Sequence, residues 1–193
     1  LPELVRRTAA ALHGWTYELI LVDDQSTDAS WRVIRQLCDE NQRVRGVCLR
    51  KNAGQDSAIL CGLRLARGRY VAIMDDDLQH APEDIPALRE RCCEQGWDVC
   101  FARFPVRRHA WWKRVGSWLN GKLAEVVIAK PKGLYLSPFK VMRQEVAREV
   151  AQYTGAFPYV DGLILSITAH VGQHAVEHHP RFRGKSQYGV FRS

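Results

Sequence analysis

The sequence predicts one α/β domain, with a mostly parallel central sheet and helices on both faces. Three observations carry this. Short apolar runs ending in polar turns alternate with segments of helical periodicity through the first half of the chain. Strand–helix alternation brings successive strands parallel and covers the sheet on both sides. The 193 residues, 46% hydrophobic and 25% charged, are enough for one sizeable core and argue against disorder. With no internal repeat and no low-complexity linker, residues 1–193 read as a single domain.

The opening residues, "LPELVRRTAAALHG", read as an amphipathic helix. They lack a methionine, so the chain is expected to be a piece of a longer one. "YELILVDD" (17–24) is a buried strand ending in carboxylates, and Asp28 is placed to cap the helix "ASWRVIRQLCDE". "RVRGVCLRK" is a second strand. Gly54 makes the tight turn into the helix "DSAILCGLRLARG", which Gly68 should close. "RYVAIMD" is a third strand, with Pro82 in the first turn of the helix after it, and "WDVCFAR" (97–103) a fourth. Beyond it, "HAWWKRVGSWLNGKLAEVVIA" reads as helical, "GLYLSPFKVMR" as a strand, "QEVAREVAQY" and "PYVDGLILSITAHV" as helices, and "QHAVEHH" as extended.

In such sheets ligands bind beyond the carboxyl ends of the strands. Asp23, Asp24, Asn52 and the run Asp75, Asp76 and Asp77 all fall at that edge. Three adjacent carboxylates at a strand end repel one another unless a cation compensates them. Their hard oxygens suit Mg²⁺ or Mn²⁺, held by one or two carboxylates with phosphates and water completing the shell. A solvated turn is the plainer account of an aspartate run, but the position at the ligand edge favours the metal. Paired Asp23 and Asp24 fit hydrogen bonding to a ribose or base. The helix after "NAGQ" would present free amides, with Asn52 and Gln55 beside them.

Formal net charge is +7, and the excess is clustered. No acid occurs from Val99 to Ala124, where Arg103, Arg107, Arg108, Lys113 and Arg114 lie, and the tail after Glu177 is also acid-free. Such clusters point to phosphates. Trp111, Trp112 and Trp118 among the first cluster suit a membrane interface, although tryptophans at helical spacing also simply pack. The six cysteines show no CxxC pair, which argues for buried thiols rather than a disulfide framework or zinc site. Adjacent His178 and His179 on an extended segment would point apart and chelate poorly. Asp161 is the one acid of an apolar stretch, placed either to cap a helix or to act as a base. The sequence carries no recognisable nucleic-acid-binding motif, and its metal-free aspartates would repel a phosphate backbone, so no nucleic-acid partner is expected.

The blocks "ELILVDDQSTDAS", "LRKNAGQDSAILCGLRLARGRYVAIMDDDLQHAPEDIP" and "RFRGKSQY" together resemble the family 2 glycosyltransferases of GT-A fold, a Rossmann-like architecture. The group most resembled is the polyprenyl-phosphate glycosyltransferases, such as dolichyl-phosphate mannose synthases and bactoprenol glucosyltransferases. The resemblance implies inverting transfer of a sugar from a UDP- or GDP-linked donor to a polyprenyl phosphate. It places Asp24 on the nucleoside, with Asn52, Gln55, Asp75 and Asp76 completing the nucleotide site. Asp75 and Asp77 fall on the family's DxD pair, Asp77 being the main metal ligand with Gln79 assisting. Arg181, Lys185 and Ser186 would surround the phosphates, and Arg103, Arg107, Arg108, Lys113 and Arg114 would hold the lipid phosphate. The family usually has a lysine where Gln187 stands, and an opening strand with a nucleotide-binding Pro and Glu is expected before Leu1. A membrane surface, the cytoplasmic face of a bacterial inner membrane, transmembrane helices outside these residues and a homo-oligomeric state complete the expectations. The runner-up is a family 2 transferase acting on a sugar hydroxyl, with Asp161 as its base.

Overall fold

A computed structural model describes residues 1–104 and 131–176. Thirteen elements order the described chain: α1 (Pro2–Ala11), β1 (Leu19–Asp23), α2 (Ser30–Glu40), β2 (Val44–Cys48), α3 (Gln55–Leu65), β3 (Tyr70–Ile73), a 3₁₀ turn (Pro82–Asp84), α4 (Ile85–Glu94), β4 (Val99–Arg103), β5 (Lys140–Arg143), α5 (Gln144–Ala151), α6 (Val160–Ile167) and β6 (Val171–Ala175). β1 and β2 pair in parallel; the other four strands run in the order β3-β5-β4-β6. β4 and β6 are parallel, whereas β5 lies antiparallel to both β3 and β4. The sheet is therefore more mixed than strand–helix alternation alone predicts.

Side-chain alternation sorts the core into layers. In β4, Val99 and Phe101 point to a cluster with Leu60 and Leu63 of α3, Val146 and Val150 of α5, and Ile164 of α6. Cys100 and Ala102 point the other way, to Leu88 and Cys92 of α4. β5 follows the same rule: Met142 joins the first cluster, and Val141, with Phe139 just before the strand, the second. Phe101 and Met142 are fully buried, each worth about 1.5–3 kcal/mol of apolar transfer. On β1, Val22 meets α3 at Gly62, and Leu21 packs with Leu4 of α1 and Ile34 of α2. Helices thus cover both faces.

Several element boundaries differ from expectation. The residue that caps α2 is Ala29 rather than Asp28, although Asp28 still accepts the Ser30 amide at 2.8 Å. α3 ends at Leu65, with Ala66 turning into extended backbone, so Gly68 lies beyond the cap. α6 stops at Ile167, and the strand follows at Val171, two residues before the expected extended segment. Gly54 does make the turn into α3, at a φ of +88° that favours glycine. The expected helix through 109–129 lies outside the described residues.

Candidate active site

β1, β3 and β4 all end at one edge of the fold. Because β5 is antiparallel, its first residue reaches the same edge: Lys140 pairs with both Ile73 and Phe101. Asp23, Asp75, Arg103 and Lys140 are brought there by four different strands.

The first turn at this edge is built on Asp24. Its two carboxylate oxygens accept the backbone amides of Ala53 and Gly54, at 2.7 and 2.8 Å. The Asn52 amide side chain donates to the Asp24 carbonyl, and the Asn52 backbone amide donates to Gln25. Asp24 and Asn52 therefore brace the entry to α3, a job that sequence reasoning had not given them. Asp23 is 4% exposed and accepts the Ser26 amide and the Cys48 thiol.

Asp75 stands two residues past β3. Gln55, the first residue of α3, donates its side-chain amide to Asp75 Oδ1 at 2.8 Å. On the other side the Asp75 backbone amide donates to His80 Nδ1 at 3.1 Å, and that nitrogen lies 3.8 Å from Asp75 Oδ2. The imidazole is buried and stacked with Phe104 and Phe139, at 5.4 Å from each ring. Burial pushes the Asp75 carboxyl above its ordinary value; His80 opposes that shift, Asp77 and Asp76 add to it, and Lys140 opposes it.

Asp77 Oδ1 accepts the Gln79 amide at 3.0 Å, while Asp76 is exposed. Between Asp77 and Gln79 the chain takes a left-handed turn at Leu78, φ +62°. Among the described residues only Gln25 and Leu78 are non-glycine residues with positive φ, and each follows an aspartate run at a strand end. Such a conformation costs about 1–2 kcal/mol for a residue with a Cβ. Leu78 offsets it by burying against Leu4 and Val5 of α1. Arg7 of α1 also grips Glu83 through two hydrogen bonds, at 2.9 and 2.7 Å.

Asp161 is the second residue of α6 and is not the helix cap; that position is Tyr159, which has no side-chain cap bond. Its carboxylate pairs instead with Lys140, which is 2% exposed and lies over the Phe101 ring at 5.4 Å. Arg103 is exposed at the end of β4. The other basic and tail residues assigned from sequence (Arg107, Arg108, Lys113, Arg114, Arg181, Lys185, Ser186 and Gln187, with Trp111, Trp112, Trp118, His178 and His179) lie outside the described residues.

Sequence reasoning assigned no role to His80, Lys140 or Asp56. Lys140 did leave a signal, as the one ionisable side chain within "SPFKVM". Nothing local in the sequence links it to Asp161, 21 residues on.

A family model described as "Glycosyl transferase family 2" matches residues 1–151. The chain belongs to glycosyl transferase family 2. Among curated relatives, an undecaprenyl-phosphate 4-deoxy-4-formamido-L-arabinose transferase of Edwardsiella ictaluri is 33% identical over all of this chain and 60% of its own length. A dodecaprenyl-phosphate galacturonate synthase of Rhizobium johnstonii is 32% identical over 98% of this chain and 58% of its own. The chain thus spans about three fifths of the length of these relatives. Among solved structures, glucosyl-3-phosphoglycerate synthase of Mycobacterium tuberculosis in complex with phosphoglyceric acid superposes with a TM-score of 0.67 at 18% identity, covering 95% of this chain and 67% of that one. The same synthase with Mn²⁺, UDP and phosphoglyceric acid gives 0.66 at 20% identity, covering 95% and 66%. The fold is GT-A.

Among the described residues no three His, Cys, Asp or Glu side chains are grouped to hold a metal ion. The donors at the edge still suit a hard divalent cation. Asp75 and Asp77 are oxygen ligands, and the carboxyl of Asp75 is raised by burial and by repulsion from its acidic neighbours, a cost that a cation would remove. So few protein ligands leave most of the coordination shell to phosphate and water. Among the described residues, no helix is long and apolar enough to cross a membrane.

Proposed function

We propose that this domain transfers a sugar, with inversion, from a nucleotide-diphosphate sugar to a polyprenyl phosphate at a membrane surface. The observation that carries the reading is the Asp75–Asp77 run at the carboxyl edge, held by Gln55 and His80, with Arg103 exposed on the same edge. Relatives named for undecaprenyl- and dodecaprenyl-phosphate chemistry, aligned over 98–100% of this chain, support the acceptor class.

In this reading Asp24, Asn52, Gln55, Asp75 and Asp76 form the nucleotide site. Asp24 uses the oxygen lone pairs that its two amide bonds leave open. Asp75, Asp77 and Gln79 hold Mg²⁺ or Mn²⁺, and the bound ion supplies neutralising charge to the diphosphate. Arg181, Lys185 and Ser186 stabilise the leaving group, whose negative charge grows as the glycosidic bond breaks. Arg103, Arg107, Arg108, Lys113 and Arg114 hold the acceptor phosphate in line with that bond. The acceptor is already an anion near neutral pH, so no side chain has to remove a proton. Asp161 fits a base poorly. Drawing its carboxylate away would strand the buried Lys140 ammonium without a counter-charge, a costly arrangement. In this reading the site works at the cytoplasmic face of a membrane.

The test uses the full-length protein in nanodiscs with labelled UDP- and GDP-sugars. Label should enter the organic phase only when polyprenyl phosphate and Mg²⁺ or Mn²⁺ are present. EDTA or Asp77→Asn should cut it by at least about 100-fold, as loss of a main electrostatic contributor does. Metal-independent transfer would overturn the reading.

A further inference from the structure

The Lys140–Asp161 pair does more than fill space. Lys140 opens β5, opposite Ile73 of β3 and Phe101 of β4 in the ladder, so it sits two residues short of Asp75 along the neighbouring strand. Period-2 alternation sends Phe139 to the α4 face, where it stacks on His80, and Lys140 to the α6 face. Phe139, just before β5, and Lys140, its first residue, thus face opposite sides of the sheet beside the aspartate run. Phe139 works through the imidazole, and Lys140 through its place in the ladder, paired with Ile73 two residues before Asp75. Lys140 is 2% exposed, so water does little to screen it. Its counter-charge is Asp161, whose side chain is 17% exposed in the first turn of α6.

We propose that Lys140 and Asp161 are positioning residues that form a charge-balanced strut beneath the aspartate run, and that this balance sets how tightly the run binds a divalent cation. The inference rests on reading that run as a metal site. With both partners present the strut is nearly neutral toward an arriving cation. Without Asp161, a bare ammonium faces the site and repels the cation. Without Lys140, a bare carboxylate faces it and attracts the cation. The two single substitutions therefore act in opposite directions, and a double substitution that removes both charges cancels them.

The experiment is Mn²⁺ binding to the full-length protein without nucleotide, read by electron paramagnetic resonance of free Mn²⁺. Asp161→Asn should weaken binding by about tenfold and Lys140→Met should tighten it by about threefold or more, as expected for one uncompensated charge at short range in a poorly screened site. Lys140→Met with Asp161→Asn should return to within about threefold of the unmodified protein, as coupled charges require. Lys140→Arg keeps the charge and should keep the affinity, which guards against a variant that simply folds poorly. Single substitutions that shift affinity in the same direction, or variants that change only the melting temperature, would overturn the strut. Failure of the unmodified protein to bind Mn²⁺ would instead overturn the metal reading beneath it.

Discussion

Asp56 Oδ1, in the first turn of α3, accepts the amide hydrogen of Val160, the first residue of α6, at 3.0 Å. A helix whose own cap residue offers no side chain is capped by another helix, 104 residues earlier in the chain. The bond fixes where α6 begins, and so where Asp161 meets Lys140. Asp56→Ala should cost about 1 kcal/mol of stability, the usual loss for a helix cap, and Asp56→Asn should recover most of it. Urea unfolding reads the energy; faster hydrogen exchange at the Val160 amide would show that the cap is what was lost.

Leu78 combines a left-handed backbone with a buried side chain. Leu78→Ala should destabilise by about 2–4 kcal/mol through lost packing against α1. Leu78→Gly loses the same packing but relaxes the backbone by about 1 kcal/mol. Glycine should therefore be the better tolerated of the two, the reverse of the order within a strand or helix. Denaturant titration of both variants checks this; alanine at or above glycine would mean that the turn is unstrained.

Asp75 predicts a pH effect of definite sign. Burial raises its carboxyl above the ordinary 3.8, more than the attraction of His80 lowers it. A group with a raised folded pKa contributes stability that is complete below its unfolded value and is lost as pH rises through the folded one. In EDTA, the difference in melting temperature between the unmodified protein and Asp75→Asn should move against the unmodified protein as pH rises from about 4 to 7. A difference independent of pH would contradict the assignment.

Gly46 of β2 lies directly under α2. A Cβ there would lie 2.5 Å from Ile34 Cγ2 and 3.1 Å from Cys38 Sγ. Gly46→Ala should cost about 1–3 kcal/mol by overpacking. Combined with Ile34→Ala, the loss should be less than the sum, since the second change opens the space that the first needs. Thermal unfolding of the two single variants and the double variant measures the coupling.

The first four strands and the helices between them were legible because each rests on local signals: apolar runs, Gly54 at the turn, Pro82 in the next helix start. The direction of β5 was not, because "FKVM" reads the same whichever way it is threaded between β3 and β4. The aspartate run announced the site by its own chemistry. Its supports did not: Gln55 comes from the start of α3, His80 folds back from five residues on, and Lys140 enters beside β3 from β5. Asp161 shows the limit well: the sequence offered a cap or a base, and the fold made it the partner of a buried lysine.

The most direct measurement of the central claim compares acceptors that differ only in the phosphate. The full-length protein, with its preferred labelled nucleotide-sugar and Mn²⁺, is given polyprenyl phosphate in one set of nanodiscs and the corresponding polyprenol in another. Label is expected on the phosphate and none on the alcohol, because the site is read as holding an anion and Asp161 is paired with Lys140 rather than free to act as a base. Transfer to the alcohol or to a soluble sugar, abolished by Asp161→Asn in a variant that still binds the donor, would contradict it and make Asp161 the base.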